Sequence, residues 1–261
     1  MPACYAHYRF AAEMLEKMPK DARRTVNRFR RLYDVGAHGP DPFFFYNPLR
    51  HNRVGELGSK FHEQSGEEFF GRVCRNIRLS PSEAAMSYLY GVLTHYCLDS
   101  CCHPFINQWT QEGPANHTEI EGEFERYLLV KDGKIPPEEA EISRHIYLTP
   151  GEWEVMAGFY PGISEKQAGK AVKHMEFITR FLQIPEGSRR DAVKKTLDKA
   201  SREYAGLMIP SHPNPGCMDK DEMLMEHWKE AEELFPAELE NITAHLTGSA
   251  PLGDMFEATF G

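Results

Sequence analysis

Imidazole and carboxylate side chains recur at four-residue steps in the middle of the sequence, first as His95, Asp99 and His103 and then as His117 and Glu121. On an α-helix a four-residue step turns a side chain by only about 40°, so one face of a helix through 95–103 presents imidazole, carboxylate, imidazole. Ser80-Pro81-Ser82-Glu83 reads as a capping box with proline at the first helical position, and the spacing predicts a helix over 81–103 that stops at Pro104. Elsewhere that helix is apolar almost all round (Met86, Leu89, Val92, Leu93, Leu98), the pattern of a helix enclosed by others. A carboxylate buried there needs a partner, and a divalent metal answers that need. His117 and Glu121 share a stripe with Phe124 and Leu128, so this second pair also faces inward.

Three more residues extend the set. His7 shares a helical face with Ala11, Met14 and Met18, and His62 with Phe69, Val73 and Ile77. Asp41 lies in an irregular Gly-Pro-Asp-Pro loop just before Phe43-Phe44-Phe45-Tyr46. Singly, each has an ordinary explanation as a core histidine or a turn residue. Together, His7, His62, His95, His103 and His117 with Asp41, Asp99 and Glu121 form a donor set suited to zinc, large enough for more than one ion. His51 is the alternative to His62, His38 is a reserve, and Cys102 is a further soft donor near the ligand face. His145, His174, His227 and His245 stand in amphipathic helices without matching partners and are left unassigned. No His-Asp dipeptide and no Glu-x-x-His occurs, which sets aside His-Asp phosphohydrolases and di-iron bundles.

The elements that must position these residues are all helical. Periodicity and caps place helices at about 5–18, 21–33, 60–78, 81–103, 117–130, 137–147, 164–183, 188–206, 220–246 and 252–259, with no strand alternation. With 261 residues and no repeat or long linker, the expectation is one all-α domain over 1–261, its metal-bearing half at about 2–130 and a helical half at about 135–261. A formal charge of −9 argues against a stable nucleic-acid partner, although 21–33 carries a basic face of Arg23, Arg24, Arg28, Arg30 and Arg31. Six cysteines without C-x-x-C spacing read as reduced, and no apolar run reaches membrane-spanning length or forms a signal pattern. The expected location is cytoplasmic, with no transmembrane segment.

His7 near the start, Gly-Pro-Asp41 before aromatics, His62 in Lys-Phe-His-Glu, the H-x3-D-x3-H-P run of 95–104 and the H-x3-E of 117–121 together resemble the zinc-dependent phospholipase C family. Its multi-helix fold is shared with zinc-dependent single-strand nucleases. The resemblance implies two or three zinc ions. One would be held by Asp41, His62, His95 and Asp99, and a second by His103, His117 and Glu121. A third would take His7, a bridging Asp99 and the N-terminal residue, here Pro2 once Met1 is removed. It also implies hydrolysis of a phosphate ester, phospholipid among the substrates, by a zinc-activated water with Asp41 as general base. A single-strand nuclease or nucleotidase on the same scaffold, or a metal-binding protein without catalysis, are the alternatives.

Overall fold

The computed structural model describes residues 4–217 and 219–261. Among these the α-helices are α1 (Cys4–Lys17), α2 (Lys20–Arg28), α3 (Arg30–Gly36), α4 (Arg53–Glu63), α5 (Gly66–Leu79), α6 (Glu83–Glu112), α7 (His117–Lys131), α8 (Pro150–Phe159), α9 (Glu165–Leu182), α10 (Ser188–Ala200), α11 (Arg202–Gly206) and α12 (Lys220–Leu246). Short 3-10 turns cover Asp41–Phe45, Pro137–Glu139 and Asp254–Glu257. The fold is all-α, and the sole strand-like feature among the described residues is an isolated bridge between Ser65 and Thr259.

Helix α6 is the axis of the molecule. It packs against α1, α2, α3, α5, α7, α8 and α12, which is why nearly its whole circumference is apolar. The closest approach is to α3, where a Cβ on Gly91 would lie 2.3 Å from the Tyr33 carbonyl oxygen and one on Gly36 would lie 2.6 Å from that of Tyr88. Only glycine lets the two backbones meet there. The C-terminal segment folds back over the same region. The Tyr96 hydroxyl donates to the Met255 carbonyl at 2.7 Å, the Gly66 amide to that of Ala258 at 2.8 Å, and the Phe260 amide to that of His62 at 3.2 Å. Phe256 and Phe260 are thereby sealed among Phe69, Phe70 and Tyr96.

Caps explain most helix starts. Asn116 and Glu119 form a capping box at α7, Ser164 and Gln167 another at α9, and Ser82 accepts from the Ala85 amide at α6. Several sequence expectations are corrected. Helix α6 does not stop at Pro104 but continues to Glu112: Pro104 sits on the exposed side, while Ile106 and Trp109 keep the last turns packed. The helix expected over 21–33 breaks at Phe29, whose carbonyl accepts from the Ser87 hydroxyl at 3.0 Å and pins the kink to α6. The 60–78 stretch is two helices separated at Gln64-Ser65, and 188–206 divides at Ser201, which caps α11. The 137–147 stretch is irregular beyond its 3-10 turn, whereas α8, with its Thr149–Glu152 capping box, was not anticipated. The basic face of α2 and α3 is an ion-paired surface: Arg23, Arg24, Arg28, Arg30 and Arg31 meet Glu16, Asp21, Glu83, Asp34 and Glu152.

Candidate metal centre

Five elements bring the eight sequence-derived candidates together. Helix α1 supplies His7, the turn after α3 supplies Asp41, α4 supplies His62, α6 supplies His95, Asp99 and His103, and α7 supplies His117 and Glu121. Their donor atoms form three groups, each with all atoms within 4.8 Å of one another: His7 with His95 and Asp99, Asp41 with His62 and His95, and His103 with His117 and Glu121. His95 belongs to two groups. The geometry thus departs from the implied ligand sets in one respect, since His95, rather than Asp99, links the Asp41–His62 pair to its neighbour.

Asp99 occupies the middle. Its Oδ1 lies 3.2 Å from His7 Nε2 and 3.7 Å from His103 Nε2, while Oδ2 lies 3.1 Å from His95 Nε2. Burial opposes its ionisation, yet the surrounding His103, His95 and His7 hold the carboxyl well below the usual range. For Asp41, burial is likewise outweighed, with the hydrogen bond from His62 and the nearby His95 among the causes. Glu121 is also pulled down against burial, chiefly by His117, with the hydrogen bond from His103 adding to it. His117 moves the other way: burial lowers its pKa, but Glu121 raises it more.

The ring orientations are set from behind. His62 Nδ1 lies 2.9 Å from the Gly58 carbonyl and His103 Nδ1 lies 3.2 Å from the Phe260 carbonyl, so in each case Nδ1–H donates outward and Nε2 is turned to the carboxylates. Gly39, at φ +49°, lets the loop before Asp41 pass the His95 ring, where a Cβ would come within 2.3 Å of Cδ2. His51 is 86% exposed and pairs with Glu56, so His62, not His51, reaches the centre.

The donor set fits metal. His95 Nε2 and Asp99 Oδ2 are both fully buried and, despite their proximity, make no hydrogen bond, as expected when two lone pairs are aimed at a common third point. A cavity of about 30 Å3 lies between His7, Asp99, His103 and Glu121, more than the ~10–15 Å3 that a single water needs. Cys102 lines the same space, but burial pushes its thiol well above the usual value, and a neutral thiol is a poor ligand. Pro2 lies outside the described residues.

Residues 6–161 match the family model for zinc-dependent phospholipase C. The chain belongs to the zinc-dependent phospholipase C family. The match spans all eight candidate ligands, whereas α9 to α12 lie beyond it. No curated protein and no solved structure matched the chain.

Two supports of this family site escaped the sequence reading. His38 is buried and His145 partly so, with their Nε2 atoms 2.8 Å apart and Tyr8 stacked on His145. Burial pushes His145 down to about 3 and lowers His38 as well, so the pair is neutral and shares one proton behind His7. Glu125, one helical turn beyond Glu121, accepts the amides of Tyr5 and Ala6 and so fixes the start of α1. The first pair joins segments far apart in sequence, and no spacing rule announces it. The H-x3-E-x3-E run of 117–125 was visible, but not that its last member turns to α1.

Proposed function

We propose that this chain is a zinc-dependent phosphoric ester hydrolase that cleaves a phosphodiester, with Asp41 as the general base. The observation that carries this reading is the convergence of eight imidazole and carboxylate groups from five elements on one buried centre, in a chain of this family. His7, Asp41, His62, His95, Asp99, His103, His117 and Glu121 would hold two or three zinc ions. Bound zinc would supply Lewis-acid neutralisation of the phosphoryl oxygens and lower the pKa of water.

The residues themselves divide the remaining work. Asp41, kept ionised and completely buried, can take the proton of an attacking water, and His62 orients its Oδ1 at 3.0 Å. Attack forms a new P–O bond, and the ester P–O bond breaks to release the alcohol. Asp99 balances the positive charge gathered by His7, His95 and His103. His117 is the most accessible ligand, with its side chain 20% exposed, and marks the side from which a phosphate group can approach.

The test joins zinc analysis with kinetics on a phosphodiester panel for Asp41→Asn. The expected result is a fall in kcat of at least about a hundredfold, the scale of general-base catalysis, with zinc content retained. An unchanged kcat would overturn the base assignment. Loss of zinc would make Asp41 a ligand first.

A further inference from the structure

A cavity of about 670 Å3 lies between the segment that follows Asp41 and the C-terminal helices. Phe44 and Leu49 stand on one side of it, Phe177 and Phe181 of α9 on another, and Leu197 of α10 completes the wall. No candidate metal ligand lines it, so it is a space separate from the metal centre. The volume falls within the ~300–1,000 Å3 typical of sites for small molecules. Most of the wall lies beyond the family match and belongs to this chain's own C-terminal helices.

The polar groups of the wall fall into two kinds. The Tyr204 hydroxyl donates to the Pro48 carbonyl at 2.7 Å, His174 Nδ1 lies 3.2 Å from the Phe45 carbonyl, and Glu203 Oε2 lies 3.1 Å from the Thr118 hydroxyl. These three are engaged with protein. The side-chain amide of Asn47 and the guanidinium of the exposed Arg50, in contrast, have no hydrogen-bond or ion-pair partner among the described residues. One cation and one amide are therefore open to a molecule seated in the cavity.

Charge decides which way round such a molecule lies. Phe45, Leu182 and Leu207 line this cavity and also a smaller space behind it, whose other walls include the buried Glu125 and Glu138. The inner end thus backs onto two carboxyl groups, while the outer end carries Arg50 among the exposed Leu49, Phe177 and Phe181. An anionic head is favoured at the rim and opposed inside. The fork of a guanidinium matches the two oxygens of a carboxylate, which makes a carboxylate its natural partner. The body of the ligand must be apolar, because each donor or acceptor brought against Phe177, Ile178, Leu182 and Leu197 would be left unpaired at a cost.

We propose that this cavity is a second ligand site, separate from the metal centre, that takes one free fatty acid with its chain directed inward and its carboxylate at Arg50 and Asn47. The ligand is bound and not transformed, so the proposal stands whether or not the hydrolase reading does. Its test is calorimetric binding of octanoate, decanoate and dodecanoate to the zinc-loaded protein, with decyltrimethylammonium as the cation of matched length and inorganic phosphate as the probe of the metal centre.

One fatty acid per chain is expected, with affinity rising about tenfold for each pair of added methylenes, as burial of hydrocarbon requires. Decanoate should bind at least about tenfold more tightly than decyltrimethylammonium, and Arg50→Glu, at an exposed position, should abolish that preference. Leu197→Trp, which fills the cavity, should flatten the chain-length rise to less than about twofold, with folding of both variants checked by thermal unfolding. Saturating phosphate should leave the decanoate affinity unchanged. Displacement of decanoate by phosphate would put the carboxylate on the metal and overturn the proposal, as would equal affinity for the two decyl ions or a chain-length rise that Leu197→Trp leaves intact. Two further outcomes would also overturn it by giving the apolar rim another occupant: a dimer in sedimentation velocity that Phe181→Glu dissociates, or co-sedimentation with phosphatidylcholine vesicles without saturable binding of decanoate.

Discussion

Asp99 is the residue on which the centre turns. Its two oxygens reach His7, His95 and His103, so a single carboxylate serves more than one donor group. Asp99→Ala is expected to lose more than one zinc equivalent, read by elemental analysis of protein purified without chelator; a wild-type count would show that no ion depends on it. The three α6 ligands were legible in the sequence because helical periodicity alone aligns residues four apart. Asp41 and His62 were legible only as candidates, since their 3.0 Å contact closes across a turn and two further segments that no period describes. Choosing His62 over His51 required burial, which is a property of the folded chain. Gly39 gave no signal, because its need is set by the His95 ring lying against it.

At the scale of elements, α1 must be held at a fixed depth to present His7, and Glu125 of α7 does this by receiving the Tyr5 and Ala6 amides. Burial pushes the Glu125 carboxyl from 4.5 up to about 8, against the two backbone hydrogen bonds and with Glu121 adding to the rise. The folded protein therefore keeps a proton that the unfolded chain releases. The stability this contributes is present below pH 4.5 and is lost as pH rises toward about 8. Glu125→Gln should remove that decline, so urea midpoints of the chelated protein at pH 5 and pH 8 should differ less in the variant than in the wild type. An unaltered difference would mean that Glu125 is ionised throughout. Caps made the starts of α7 and α9 readable, since their partners lie three residues away. The break at Phe29 and the continuation through Pro104 were not readable, because packing against α6 decides one and exposure the other.

For the whole molecule, metal should stabilise in proportion to what it binds. An ion at a thousandfold its Kd contributes about 4 kcal/mol, and at ~2–4 °C per kcal/mol for a chain of this size, chelation should lower Tm by roughly 10 °C per ion. Acid should act in the same direction. Only neutral imidazole binds zinc, and the raised pKa of His117 makes the His103–His117–Glu121 group the one whose ion should leave first on acidification. Zinc release followed during acidification for the protein and for His117→Ala checks this; a first release step that the variant leaves in place would contradict it.

The contact between His103 Nδ1 and the Phe260 carbonyl joins residues 157 positions apart, and the same ring is a candidate ligand. Once an ion no longer holds Nε2, the ring is free to turn and the tail loses one of its attachments. Beneath that tail lie Phe69, Phe70 and Tyr96, packed against Phe256 and Phe260. Chelation is therefore expected to loosen this tail and bare part of that aromatic surface, and binding of an apolar dye by the chelated protein above that of the zinc-loaded one would be its sign.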